Sequence, residues 1–385
     1  MTSALGIYVH VPFCRTRCRY CDFYRVGENG ERQARFLAAL ATEIDGLEAY
    51  AGRPVDTVFF GGGTPSLLDV GEVGAVLDRL AGRFALDPGA EVTLEANPSD
   101  LDLQKLRALR AAGVNRLSVG VQSFNDRELR LLGRRHDAER AASCVGWARD
   151  AGFDNLSLDL MLAIAGQTEA SFARSLERAV ALRPDHLSLY LLEVHAQSEM
   201  DFLRRERPRL FPGEEAHRRR YLRTAERLTA AGFAHYEISN FARPGRECRH
   251  NLKYWRREPY LGLGPAAHSA VDGRRFRHAA DLAAYLADPL AVEELESDPA
   301  SERVFLGLRL AEGVSEADVL AGAALDESEL GRRLLRLAPF VESRQGRLRL
   351  TREGFLVSNA VLAELLADTL APFSSGEPHV ANLSS

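Results

Sequence analysis

Residues 7–24 read Ile-Tyr-Val-His-Val-Pro-Phe-Cys-Arg-Thr-Arg-Cys-Arg-Tyr-Cys-Asp-Phe-Tyr. The alternating apolar run 7–11 predicts a strand, and Pro12 stops it. The cysteines therefore fall on a loop at that strand's C-terminal end. Cys14, Cys18 and Cys21 are spaced C-x3-C-x2-C. Thiolates crowded on one loop are soft ligands, suited to zinc or iron–sulfur. A structural zinc site is closed by four protein ligands, and a fourth would have to come from His10, Cys144 or Cys248. A [4Fe–4S] cluster can be held by three cysteines with one iron left open, and the spacing favours it. Thiols without a metal would be an oxidation liability here.

Working outward, strands and helices alternate. Helices are expected over 31–50, 70–83, 101–112, 126–133, 137–151 and 168–182. Further strands are expected over 55–60, 92–95, 116–120, 156–160 and 186–191. Such alternation predicts a parallel α/β sheet, and without a dinucleotide-binding glycine fingerprint it favours a partial (β/α)6 barrel. Chemistry in such barrels sits on the loops beyond the C-terminal strand ends. From about 214 the pattern changes: a helix over 214–231, a short strand over 236–239, then a Gly-rich polar segment to about 278. Residues 301–371 read as mostly helical with a hairpin over 341–350. The expected organisation is a core over 1–240 carrying the cysteine loop, a connecting segment over 241–295, a smaller winged-helix-like domain over 296–372 and a disordered tail over 373–385.

A chain of 385 residues can bury a large core and a smaller domain. Five cysteines, three of them clustered, do not describe a disulfide scaffold. A net charge of −5 gives no electrostatic case for nucleic acid as the main partner. There is no signal-peptide pattern and no apolar run long enough to span a membrane, so a reducing cytoplasm is expected. Membrane contact would be peripheral, through partner proteins.

Further candidates lie at the expected strand ends. Gly61-Gly62-Gly63-Thr64-Pro65 allows close backbone approach to a ligand, or is a tight turn before a helix. Glu95, Gln122 and Asp159 end successive strands and point to one mouth. Arg134 could grip a carboxylate bidentately. In His250-Asn251-Leu252-Lys253-Tyr254-Trp255, His250 is a candidate axial ligand to haem iron, with Tyr254 and Trp255 as flat packing surface. The competing reading is a satisfied histidine beside an aromatic pair. Cys248 could also ligate haem, His268 could face the mouth, and Cys144 reads as core.

The cysteine spacing and the G-G-x-P-type turn resemble the radical S-adenosylmethionine (radical SAM) superfamily. In that family the open iron binds the methionine moiety of SAM, and one electron can cleave SAM to a 5′-deoxyadenosyl radical. The layout over about 5–370 is similar to the oxygen-independent coproporphyrinogen III oxidase-like branch. The resemblance places Tyr8, Tyr20, Gly62, Gly63, Thr64, Glu95, Gln122, Arg134 and Asp159 at SAM. The oxidases of that branch carry a fourth motif cysteine, C-x3-C-x2-C-x-C, where this chain has Phe23, and a longer segment before the cluster. The H-N-x-x-Y-W stretch instead matches the haem-chaperone family. That resemblance implies haem binding by His250, Asn251, Tyr254 and Trp255, transfer to haem-accepting proteins (respiratory ones among them), and SAM as a bound ligand with no catalytic residue assigned. One departure is Ala163-Ile164-Ala165 where the family has Gly-Leu-Pro before Gly166-Gln167.

Overall fold

The computed structural model describes residues 3–367, so the tail expected over 373–385 lies outside the described residues. Six parallel strands form the centre: β1 (Leu5–Val11), β2 (Pro54–Gly62), β3 (Ala85–Ala96), β4 (Arg116–Gln122), β5 (Leu156–Leu162) and β6 (His186–Leu191). Each pairs with the next in register: Tyr8 with Phe59, Phe59 with Thr93, Glu95 with Ser118, Ser118 with Ser157 and Asp159 with Ser188. Helices Gly30–Gly46, Val70–Arg83, Leu103–Ala111, Ala138–Asp150 and Glu169–Ala181 make the return connections. Their starts are coded locally: the side chains of Asn29, Asp102, Asp137 and Thr168 accept backbone N–H groups of the first turns.

The two faces of the strands do different work. Leu5, Ile7, Val9 and Val11 of β1 join Val58, Phe60, Leu94, Leu117, Val119, Leu158 and Leu160 in one core under the helices. Each such side chain contributes about 1.5–3 kcal/mol when fully buried. The alternate positions Tyr8, His10, Thr57, Phe59, Glu95, Ser118 and Asp159 occupy the other face, the concave interior of the partial barrel. Cys144 is fully buried in the outer core.

Two expectations change. The segment over 241–295 is not a connection but part of the sheet. Tyr260–Leu263 pairs parallel to the free edge of β1 and is followed by antiparallel His268–Val271, Arg274–Arg277 and Glu293–Glu294. On the opposite edge, Asn240–Ala242 runs antiparallel to β6, and Ala234–His235 pairs with it. The result is one twelve-stranded sheet. Edge pairing satisfies backbone groups that an open barrel would leave free, which a purely local reading cannot see. Residues 236–239, expected as a strand, are the turn between those two short strands, and Glu237 makes only an isolated bridge to Leu310.

Residues from about 304 build a second core around Val304, Leu308, Val319, Leu348, Val361 and Leu362. The expected hairpin is present: Val341–Arg344 pairs with Arg347–Leu350 about Gln345 and Gly346. Tyr221, from helix Glu214–Ala230, belongs to this second core and fastens it to the barrel. Among the described residues, no helix is long and apolar enough to cross a membrane.

Candidate functional site

A cavity of about 370 Å³ opens at the C-terminal ends of the parallel strands. Cys14, Cys18, Cys21, Tyr20, Gly62, Gly63, Thr64, Glu95, Gln122, Arg134 and Asp159 all line it. Residues more than a hundred positions apart meet there because each follows or ends a strand of the same sheet.

The cysteine loop is held by its backbone rather than by its thiols. Val26 N–H donates to Pro12 C=O (2.7 Å), Glu28 N–H to Cys14 C=O (3.0 Å) and Arg19 N–H to Leu132 C=O (3.2 Å). All three cysteines are free and half-buried. Among the described residues, no three His, Cys, Asp or Glu side chains converge on a point that could hold a single metal ion. All three thiols line the cavity, and three soft sulfur donors on one loop are a donor set that fits an iron–sulfur cluster. Burial pushes the Cys21 thiol up to about 11. Ionisation there needs a cationic partner, which an iron centre supplies. Thr64 Oγ1 lies 3.3 Å from Cys14 Sγ, which ties the Gly-rich loop to the cysteine loop.

Arg134 is the hub of the rim. Its Nη2 donates to Gly120 C=O (2.6 Å), and its Nη1 lies 3.5 Å from both Cys18 Sγ and Tyr20 Oη. Burial first, then repulsion from Asp159, pushes the Glu95 carboxyl up to about 8. Burial pushes Asp159 up to about 6, against hydrogen bonds from Ser188 and Ser118. At neutral pH the pair thus carries about one negative charge rather than two. One carboxyl that donates beside one that accepts suits a ligand rich in hydroxyl and amino groups.

The backbone is strained beside this pair. Gln122 ends β4 at φ 64° and Ala163 follows β5 at φ 66°. A left-handed non-glycine residue costs about 1–2 kcal/mol. At Ala163 the turn is pinned by Gln167, whose Oε1 accepts the Ala163 N–H (2.9 Å) and whose Nε2 donates to Glu128 (3.0 Å) and Met161 C=O (3.2 Å). The alanine is accommodated in the conformation a glycine would adopt freely.

Tyr8 does not line the cavity. It lies below it, its hydroxyl 3.3 Å from His10 Nδ1 and its ring stacked on Phe59 and His250. His268 lies on the strand between Tyr260–Leu263 and Arg274–Arg277 and is not among the residues that line the cavity.

The H-N-x-x-Y-W stretch forms helix Arg249–Arg256, and its residues are not among those that line the cavity. The helix packs across the N-terminal ends of the strands, opposite the cysteines. Glu91 of β3 receives the N–H groups of Arg249 and His250 at the helix start (both 3.3 Å), where a carboxylate meets the positive end of the helix dipole. His250 is fully buried. Its Nδ1 bonds Thr57 Oγ1 and its Nε2 bonds Tyr254 Oη, both at 2.8 Å. No ring nitrogen is left for iron. Asn251, Tyr254 and Trp255 are buried beside it. Cys248 is fully buried over Glu91 (3.7 Å), with its thiol pushed up to about 12 chiefly by burial, so it does not present a haem ligand either. We expect His250→Ala to lower the unfolding free energy by about 3 kcal/mol, since it leaves a void and two unpaired buried hydroxyls. Urea unfolding measures this, and wild-type stability in the variant would mean that the ring is not part of the floor.

The cavity also contains residues that the sequence reading missed. Leu192, Ile238, Phe355 and Leu356 give it an apolar stretch of lining away from the cysteine loop. Tyr190 stands at an interior position of β6, two residues after Ser188, and strand alternation could have found it. Arg309 and Asn359 come from the C-terminal part, where no local signal marks them.

The radical SAM superfamily model matches residues 8–179. Three cysteines on the loop after the first strand of a parallel partial barrel, facing a Gly-rich loop after the second, are the arrangement of that class. The heme chaperone HemW of Mycobacterium tuberculosis (strain H37Rv) is 39% identical over 373 residues, covering 94% of each chain. The HemW of Bacillus subtilis (strain 168) is 34% identical over 383 residues, covering 94% of this chain and 99% of its own. The solved coproporphyrinogen III oxidase HemN from Escherichia coli, described as a radical SAM enzyme, matches with a TM-score of 0.79 at 25% identity, covering 94% of this chain and 90% of its own. The chain belongs to the radical SAM superfamily and, within it, to the family of the heme chaperone HemW proteins.

Proposed function

We propose that this protein is a haem chaperone, binding haem and handing it to acceptor proteins, respiratory haem proteins among them. The observation that carries the reading is the apolar stretch of lining that shares one cavity with the cofactor residues. It offers a flat hydrophobic ligand a seat beside the SAM residues, and the names of the full-length relatives support haem as that ligand.

Cys14, Cys18 and Cys21 would hold a [4Fe–4S] cluster. Gly62, Gly63, Thr64, Glu95, Gln122, Arg134 and Asp159 would hold SAM. When bound, the pair supplies one-electron chemistry. The chain's own contribution is positional. Arg134 sets the cysteine loop against β4, the glycines admit the ligand to backbone distance, and Glu95 with Asp159 presents one donor and one acceptor. Haem ligation by His250 would require its bonds to Thr57 and Tyr254 to be given up, so the reading seats haem in the cavity.

The test is an anaerobic haem titration of the cluster-loaded protein, followed by its Soret band. Saturable one-to-one binding, with passage of the haem to an added apo-acceptor, is expected; absence of saturable binding would overturn the reading. The likeness to the coproporphyrinogen oxidase favours a second reading, oxidative decarboxylation of coproporphyrinogen, and Phe23 in the cavity wall, where that branch has a cysteine, speaks against it. Product formed from coproporphyrinogen would establish it.

A further inference from the structure

Arg309 is 5% exposed, yet it lines the cavity. Its Nη2 donates to Asn359 Oδ1 at 2.9 Å, and its Nε has no partner among the described residues. The guanidinium is sandwiched over the rings of Phe305 and Trp255, 4.8 and 5.8 Å from their centroids. It has no carboxylate within salt-bridge distance among the described residues. Glu237 and Glu193 are the acids that act on it electrostatically. Glu237 is fully buried, and burial pushes it up to about 8 against hydrogen bonds from Ser239 and Asn240 and the attraction of Arg309. Glu193 is solvent-exposed. Taking a guanidinium out of water is costly unless an anion meets it. Neither acid closes an ion pair with Arg309, and the residue lines the cavity.

We propose that Arg309 is the carboxylate anchor of the cavity, receiving a propionate of a bound tetrapyrrole while the apolar wall packs the macrocycle. This rests on the haem reading above and deepens it, naming the part of the ligand that is recognised. The planar guanidinium offers paired donors to a carboxylate, Asn359 steers it from the rim, and Trp255 backs it from the floor helix. The H-N-x-x-Y-W stretch then serves haem through the residue it holds rather than through its histidine. The methionine carboxylate of SAM is a rival occupant, and the experiment separates the two.

Cluster-loaded wild-type, Arg309→Gln and Arg309→Lys proteins are titrated with haem, with haem dimethyl ester, whose propionates carry no charge, and with SAM. Wild-type protein should bind haem at least about tenfold more tightly than the diester. Arg309→Gln should lose that margin, Arg309→Lys should keep part of it, and diester and SAM affinities should stay near wild type. Equal wild-type affinity for haem and diester overturns the anchor even if Arg309→Gln fails to fold. Equal weakening of haem and diester in Arg309→Gln also overturns it, and reduces Arg309 to a packing role. A loss confined to SAM assigns the anion to the cofactor instead. Wild-type protein that binds neither haem nor diester overturns the haem reading itself, whereas intact haem binding without the diester margin overturns only the anchor.

Discussion

Cys18→Ser should strip the iron–sulfur cluster from the protein while leaving the fold in place. The loop that carries Cys18 is fixed by backbone hydrogen bonds to Pro12, Cys14 and Leu132, none of which involves a thiol. The side-chain contacts at risk are the long one from Arg134 Nη1 to the sulfur, at 3.5 Å, and that of Tyr20 with the same thiol. A serine oxygen is a hard ligand and a poor one for iron in a thiolate cluster. Cluster content after anaerobic reconstitution should therefore fall at least about tenfold, as direct loss of a ligand exceeds the effect of losing a supporting hydrogen bond. SAM binding should fall with it, because the open iron would be lost. Iron analysis, SAM titration and urea unfolding of the metal-free chains check this together. Cys144→Ser is the matching control: its thiol is fully buried in the outer core, so the variant should keep its iron and lose stability. A Cys18→Ser protein that retains a full cluster would move the ligand set elsewhere.

Gly63→Ala has the next largest expected effect. A Cβ at Gly63 would stand 2.7 Å from Phe13 O, 2.8 Å from Val11 O and 2.9 Å from Pro12 C. All three are backbone atoms of the segment that leads into Cys14, and the Gly63 N–H already donates to Val11 C=O at 2.8 Å. No side chain can swing away to make room, so the two loops must part. Overpacking of this kind costs about 1–3 kcal/mol. The displacement reaches the site through Thr64, which touches Cys14, so SAM affinity should drop at least about tenfold along with stability. Gly74→Ala, in helix Val70–Arg83, where an added Cβ meets nothing within 4 Å, should instead stabilise by about 1 kcal/mol. Calorimetric SAM titration and urea unfolding of both variants decide it. Unchanged SAM binding in Gly63→Ala would mean that the Gly-rich loop is only a turn.

Together the two variants test one idea, that the cysteine loop and the Gly-rich loop act as a single wall. Arg309 tests the opposite wall. A ligand held between them would touch a residue near each end of the chain, so its binding should report on the seating of the C-terminal part against the barrel.

Much of this site was legible in the chain itself. Strand alternation and proline placement located β1, and the thiol spacing beyond it pointed to a cluster. Glu95, Gln122 and Asp159 could be picked out because a parallel sheet sends the ends of successive strands to one mouth. These are local or periodic signals, and the physics behind them, staggered side-chain faces and helix caps, acts over a few residues. What escaped was set by contacts between distant segments. The bond that His250 Nδ1 makes to Thr57, 193 positions earlier, could not be read from its own stretch of sequence. The segment over 241–295 looked like a link until the free edge of β1 drew Tyr260–Leu263 into the sheet. Arg309 carried no signal, because its place in the cavity wall beside Phe305 and Trp255 is set by which groups the folded chain brings near. A sequence specifies which groups can ligate, donate or pack; burial and long-range pairing decide which of them are still free to do so.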